Sequence, residues 1–348
     1  MKQKSEQDIM SAVNPSDIFT MNQDTIDEEK DEYLKLFRSA TYSTIDNFLI
    51  KQKIILLYRQ AISVLQPDYE QSELVFCTTS ISGEKFQFEH TKSSSFKLGQ
   101  QYVTSENVIF ALDEKYKSYY ENYINKTKMY SKPDKHIWQN VVHMVPNVIN
   151  HFKNLDGQFI IILKKPCAMY SLRDLMDYFG GKLEPLHVAS ILTRLYYFAC
   201  YMDLVDMAHN GITVNNLYFS LGKFVEAGKS HTLNDMRIVG VFGGWFFTTY
   251  SDEKINGLPS EVYEVLPADS KITGFSSYKV DACSIKRVAR ELLGDITGNN
   301  LGNVPDPFCD WVNNSKVAEN AYAEFCNWRD VRKKSFGTDR FISMDVSI

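Results

Sequence analysis

Apolar and polar positions follow two rhythms along this chain, and the change between them divides it. Residues 1–14 are polar and predict a mobile start. From Asn14 to Leu65 apolar residues recur at helical spacing, with Ile45, Phe48, Leu49, Ile54, Leu56, Leu57 and Ile62 on one stripe. Ser16 or Asp17, Asp24 or Thr25, and Thr44 or Asp46 stand where N-caps are wanted. A small helical unit over 15–68 follows. Beyond Gln66-Pro67-Asp68 the period shortens to two. Leu74-Val75-Phe76-Cys77, 85–89, Phe96-Lys97-Leu98, Gln101-Tyr102-Val103 and 107–112 read as strands of a small antiparallel sheet. A helix over 114–130, a Pro- and Lys-containing loop over 131–140, a strand over 158–163 and a turn at Lys164-Lys165-Pro166-Cys167-Ala168 come next. The remainder is mainly helical. It opens on a long apolar helix from about Pro185, interrupted by a polar loop from His209 to Asn216, a strand Leu217-Tyr218-Phe219 and a hairpin around 222–236.

Composition narrows the picture. With 348 residues, 44% of them hydrophobic, the chain is long enough for a bilobal body with a sizeable core and an extension. A net charge of -5 offers no general basic field for nucleic acid, and none is expected as a partner. The run Arg332-Lys333-Lys334 reads as a solvated helix end rather than a phosphate patch. Six cysteines lack Cys-x-x-Cys spacing and read as small buried hydrophobes in a reducing cytosol. No apolar run reaches membrane-spanning length and the polar start lacks a signal sequence, so a cytoplasmic protein with no membrane partner is expected.

The polar loop carries the first recognisable chemistry. His209-Asn210-Gly211-Ile212-Thr213-Val214-Asn215-Asn216 resembles the catalytic loop of protein kinases, His-Arg-Asp-x-x-x-x-Asn, in which the Asp accepts the substrate proton and the Asn holds magnesium. The resemblance covers about residues 85–335. It places Gly211 at the base and leaves His209 and Asn216 as a remnant loop, a His packed under the Phe242 segment and an Asn tying the loop. Val241-Phe242-Gly243 stands at the Asp-Phe-Gly segment, with Val241 at the magnesium-binding Asp; a valine offers magnesium no oxygen ligand. Val108-Ile109-Phe110-Ala111 overlays Val-Ala-Ile-Lys and puts Ala111 at the phosphate-anchoring Lys. Thr91-Lys92-Ser93-Ser94-Ser95 takes the place of the glycine-rich loop. Glu121 is the candidate for the ion-pairing Glu of the small-lobe helix, and reads as a surface residue. Further landmarks are His143-Met144-Val145-Pro146-Asn147, Ser171-Leu172-Arg173-Asp174-Leu175, and Leu258-Pro259-Ser260-Glu261. The resemblance implies a buried ion pair of Glu261 with Arg329 or Arg332, and a structural Asp281 bonded to the loop backbone. Gly243-Gly244-Trp245-Phe246-Phe247 predicts a docked segment in place of an activation loop, and 336–341 a C-terminal segment that seals the lobe or docks elsewhere.

The implied fold is α+β: a protein kinase-like bilobal fold, with a small antiparallel-sheet lobe and hinge over 69–168 and a mainly helical lobe over 169–348. The helical unit in front resembles a J domain, the module that stimulates heat-shock chaperone ATPases. The His-Pro-Asp loop of that family has no counterpart in Ser39-Ala40-Thr41-Tyr42-Ser43-Thr44. A J-like front on a degenerate kinase-like body, ending in Gly337-Thr338-Asp339-Arg340-Phe341, is also similar to a group of phage-encoded proteins, which implies a host cytoplasm.

Three functions follow. The first is a catalytically inactive pseudokinase, not an enzyme, that needs no cofactor or metal and binds one or more proteins as a scaffold or regulator. The second is an unorthodox nucleotide-dependent transferase working through Asp203, Asp206, His209, Asn216 or Asp235 from shifted positions. The third is a chaperone-pathway adaptor acting through the J-like helices.

Overall fold

The structure, a computed structural model, describes residues 5–36, 44–65, 75–128, 141, 144–165, 169–221 and 236–337. Asp235, His143, the stretch 39–43 and the tail beyond Gly337 lie outside them.

The chain does not begin as its polar composition predicts. Ser5 caps α1 (Glu6–Ser11) through a reciprocal bond with Asp8, and Ile9 and Ala12 are buried. They pack with α2 (Ile26–Leu36) and α3 (Thr44–Leu65) around Tyr33, Ile50, Ile54 and Leu57, a core separate from the rest. Glu29 is buried there and accepts from the Thr20 backbone (2.9 Å) and the Thr25 hydroxyl (2.9 Å). These bonds hold its carboxylate below the usual range against the opposing effect of burial.

A six-stranded antiparallel sheet follows, in the order β1-β2-β3-β4-β6-β5. Its strands are β1 (Val75–Thr79), β2 (Lys85–Phe96), β3 (Gly99–Thr104), β4 (Asn107–Leu112), β5 (Val148–Lys153) and β6 (Phe159–Lys164). The sheet curls until its two edges approach: Ser80 bridges Asn154, and Asn154 Nδ2 donates to Thr78 Oγ1 (3.1 Å). The curl encloses Phe76, Ile109, Ala111, Ile160 and Ile162 on one face. On the other face Val108, Phe110, Leu112, Phe159, Ile161 and Leu163 join the main core beneath α4 (Lys117–Lys128). Burial on both faces is why β4 and β6 read as unbroken apolar runs rather than alternating ones.

The second lobe is helical. It contains β7 (Met169–Ser171), α5 (Leu172–Tyr178), α6 (Pro185–Leu204), β8 (Met207–Ala208), β9 (Leu217–Leu221), β10 (Met236–Val241) and β11 (Thr249–Tyr250). Then come α7 (Ser260–Glu264), α8 (Ala268–Thr273), α9 (Tyr278–Leu292), α10 (Asp306–Asn313) and α11 (Ala321–Phe336). α6 is the central rod, with Leu192, Leu195, Tyr196, Phe198, Tyr201 and Met202 all buried. The Lys286 to Glu324 pair (3.2 Å) is almost wholly buried and ties α9 to α11, with Lys286 also donating to the carbonyls of Asn314 and Lys316. No helix of the described residues is long and apolar enough to cross a membrane. The five described cysteines are exposed or half-buried rather than core residues, Cys77 facing solvent on β1.

Candidate functional site

The loop between β8 and β9 is held from beneath by one carboxylate. Asp281, wholly buried on α9, accepts from the backbone N–H of His209 (2.7 Å) and of Asn210 (2.8 Å). Burial pushes its carboxyl up to about 7, while the two donors pull it back toward the charged form. Asn210 sits at φ 59°, a region that asparagine tolerates better than most residues. Its side chain is fully used: Nδ2 donates to the Phe247 carbonyl (3.0 Å) and Thr249 Oγ1 (2.8 Å), and Oδ1 accepts from Ser276 Oγ (2.7 Å). The His209 ring lies edge-on to Phe198 and to Trp245, the latter within the 242–247 turn, and its Nδ1 accepts from the Gly211 N–H (3.3 Å). Asn216 Nδ2 closes the loop onto the Gly211 carbonyl (3.0 Å).

Above the loop the chemistry-bearing surface is filled with backbone. A Cβ built on Gly211 would stand 2.4 Å from the Gly244 Cα and 2.6 Å from its carbonyl oxygen. A Cβ on Gly244 would meet His209 Cε1 at 2.2 Å, and one on Gly243 would meet Asn216 Oδ1 at 2.4 Å. Real Cβ atoms do not approach that closely, so glycine at these positions reflects contact between two chain segments. Val241 pairs with Leu217 at the end of β10, and Phe242 begins the turn that carries Gly243 to this contact.

The sheet side corrects three sequence readings. Ala111 does not face the loop; it lies on the opposite face with Ile160 and Ile162, and Phe110 takes the inward position. Phe110 packs on Phe246 (5.2 Å between ring centres), Phe96 (5.6 Å) and Tyr123 of α4 (6.2 Å). Thr91-Lys92-Ser93-Ser94-Ser95 forms no loop, since it lies within β2 and pairs with β3. The turn over the cleft is Phe96-Lys97-Leu98-Gly99, in place of the strand predicted there. At Gly99, φ 152°, a Cβ would run into the Ala111 carbonyl at 2.0 Å. Glu121 points to solvent and pairs with Lys117 (3.4 Å).

Glu261 is likewise not in a buried ion pair with Arg329 or Arg332. It accepts from Asn215 Nδ2 (3.1 Å) and Ser260 Oγ (3.0 Å) near the surface. One helical turn later Glu264, its side chain largely exposed, pairs with Arg287 of α9 (3.0 Å). Arg287 also holds Glu291 (2.9 Å), which binds Arg173, whose Nε reaches Asn215 Oδ1 (2.9 Å). Asp203, a candidate for shifted catalysis, accepts from the Ala321 N–H (3.0 Å) at the start of α11, and Asp206 is an exposed turn residue at φ 61°.

Between the lobes a cleft of about 1810 Å³ remains, running from α3 past β2 and β3 to α5 and α7. It is crossed by a hydrogen bond from Gln101 Nε2 on β3 to the phenol of Tyr218 on β9. Burial pushes that phenol up to about 12, so it stays neutral at physiological pH. Lys92 meets Asp174 (2.5 Å) and Lys97 Nζ donates to the Leu258 carbonyl (3.2 Å), two more ties between the lobes. A fourth is Asn122 of α4, which donates to the carbonyls of Phe246 (3.2 Å) and Thr248 (2.9 Å). Among the described residues no group of three or more His, Cys, Asp or Glu side chains is placed to hold a metal.

No family model matches this chain, and no curated protein matches it. Solved structures similar to it are protein kinases. The structure of vaccinia related kinase 3 matches at TM-score 0.46 and 13% identity, covering 74% of this chain and 90% of that one. The PknI kinase domain of Mycobacterium tuberculosis matches at TM-score 0.45 and 12% identity, covering 70% and 96%. A double mutant of that domain gives TM-score 0.47 and 13% identity with the same coverage. A curled antiparallel sheet carrying one helix, a helical lobe below it, and between them a loop pinned to a buried Asp281 make up a two-lobed α+β fold, the arrangement that the sequence resemblance implied.

Proposed function

We propose that this chain is a catalytically inactive, kinase-like protein that acts by binding other proteins as a scaffold or regulator. The observation that carries the reading is the contact of Gly211 with Gly244. At the position where a kinase loop carries the carboxylate that takes the substrate proton, a Cβ would lie 2.4 Å from a neighbouring backbone carbon. The site therefore lacks the room for a base as well as the base itself.

Phosphoryl transfer rests on positioning and on stabilising charge with metal ions and a cation, so each missing group removes part of the stabilisation. Phe110 stands in the inward place of the cation, among aromatic rings. Val241 offers no ligand to magnesium. The bond from Gln101 to Tyr218 crosses the cleft between the lobes. Of the carboxylates offered by the transferase alternative, Asp203 is engaged at a helix start and Asp206 is an exposed turn residue, while Asp235 lies outside the described residues. What persists is a two-lobed body tied together across its cleft, suited to presenting fixed surfaces.

The test is direct phosphotransfer. Purified full-length chain incubated with radiolabelled ATP and magnesium or manganese is expected to label neither itself nor generic protein acceptors above a heat-unfolded control. Labelling that depends on the metal and on the folded chain would overturn the reading.

A further inference from the structure

The helical unit in front of the kinase-like body contributes to the cleft. Lys53, Ile55, Leu56 and Arg59 of α3 line it on one side. Arg59 Nη1 donates to the Thr91 carbonyl on β2, which fixes the unit against the sheet edge. The cleft walls bring together six cations, Lys53, Arg59, Lys92, Lys97, Lys165 and Arg173. Four carboxylates oppose them, Asp174, Asp177, Glu261 and Glu264, and groups of both signs are engaged: Lys92 with Asp174, Arg173 with Glu291, Glu264 with Arg287, and Lys97 and Arg59 with the carbonyls of Leu258 and Thr91. The groove is thus locally positive in a chain of net charge -5. Hydroxyl groups of Thr91, Ser94 and Ser95 run along the same wall and add neutral donors.

We infer that this groove, completed by α3, docks an acidic polypeptide segment of a partner protein. The inference rests on the protein-binding reading above and names the partner's chemistry. A segment with several Asp or Glu side chains matches the excess cations, and its backbone meets the hydroxyl-rich wall of β2. Leu56 and Ile55 give its apolar side chains a surface at the mouth. A long nucleic acid fits less well, because the field of the whole molecule is negative and only this groove opposes it. Opposite charge in a partly enclosed groove chiefly sets selectivity and association rate, and is weakened by salt.

The experiment is fluorescence anisotropy of the full chain with a fluorescein-labelled Glu-rich peptide, a Gln-rich peptide of the same length and a single-stranded oligonucleotide. The Glu-rich peptide is expected to bind at least about tenfold more tightly than the Gln-rich one, with the preference fading as salt rises. Lys53→Glu should weaken the preference while leaving circular dichroism and the melting midpoint in place, and adding Arg59→Glu should remove the preference at the cost of the bond to the Thr91 carbonyl. Arg59→Lys, which keeps the charge, should retain affinity within about threefold. If the double reversal does not fold, each single reversal is read in the same way. Equal affinity for the two peptides, indifference to the reversals, or tighter binding of the oligonucleotide would each overturn the inference. These outcomes leave the inactivity reading untouched, whereas metal-dependent phosphotransfer would remove that reading whichever peptide binds.

Discussion

The underside and the upper side of the loop 209–216 are built on opposite principles. Underneath, a buried carboxylate, an asparagine with every polar atom used and a ring wedged between Phe198 and Trp245 hold the backbone in place. On top, where reacting groups would have to project, glycine backbone lies on glycine backbone and an aromatic cluster of Phe96, Phe110, Tyr123 and Phe246 fills the inner end of the cleft. Polar bonds that shape the chain are retained and open polar surface is replaced by close packing. On the reading proposed above, the positions of this loop are set by fit rather than by reactivity.

The largest effect should come from the underside. Asp281→Ala leaves two buried N–H groups unsatisfied, each worth about 1 to 3 kcal/mol, and is expected to lower the urea midpoint sharply. A loss below about 1 kcal/mol would mean that the loop is held by other contacts. On the upper side Gly244→Ala forces a methyl against His209, and Gly211→Asp forces a carboxylate against Gly244. Each should cost about 1 to 3 kcal/mol by overpacking, measured in the same urea titration. Gly211→Asp should also gain no phosphotransfer, whereas tolerance of the new side chain would show an open site.

pH separates the two sides without mutation. Asp281 has a folded pKa of about 7, raised above its unfolded value by burial. Its contribution is therefore fully present below the unfolded pKa near pH 4, and is lost as pH rises through about 7. Urea midpoints should fall between pH 5 and pH 8, and the Asp281→Asn chain should lose that component of the fall. The smallest change is expected at Tyr218→Phe, which removes a single hydrogen bond to Gln101 and should cost about 1 kcal/mol or less.

How far the sequence could be read depended on what each segment faces. The order of helix, polar loop, strand and central helix was legible because each element carries its own period, and Asp281 was legible through the resemblance, by its place in the first turn of the central helix. The face of β4 was not legible: an unbroken apolar run says that both sides are buried and hides which side Ala111 and Phe110 take. The Ser-rich half of β2 escaped because its exposed side chains along the open cleft lack an apolar alternation. Residues 5–12 read as a polar tail, although a capping box and two buried apolar positions, Ile9 and Ala12, are enough to seat α1 on α3. The pair expected between Glu261 and a late arginine is absent because Glu261 is turned to Asn215 and Ser260; Glu264, one turn along α7, meets Arg287 instead.

The central claim is that this cleft does not hold a magnesium nucleotide, and thermal denaturation without nucleotide, with ATP, and with ATP plus magnesium tests it most directly. A ligand at about a hundred times its dissociation constant would stabilise the fold by roughly 2.7 kcal/mol. Magnesium should add no stabilisation to whatever ATP alone gives by contact with the groove cations. A rise in the midpoint that requires magnesium would contradict the claim.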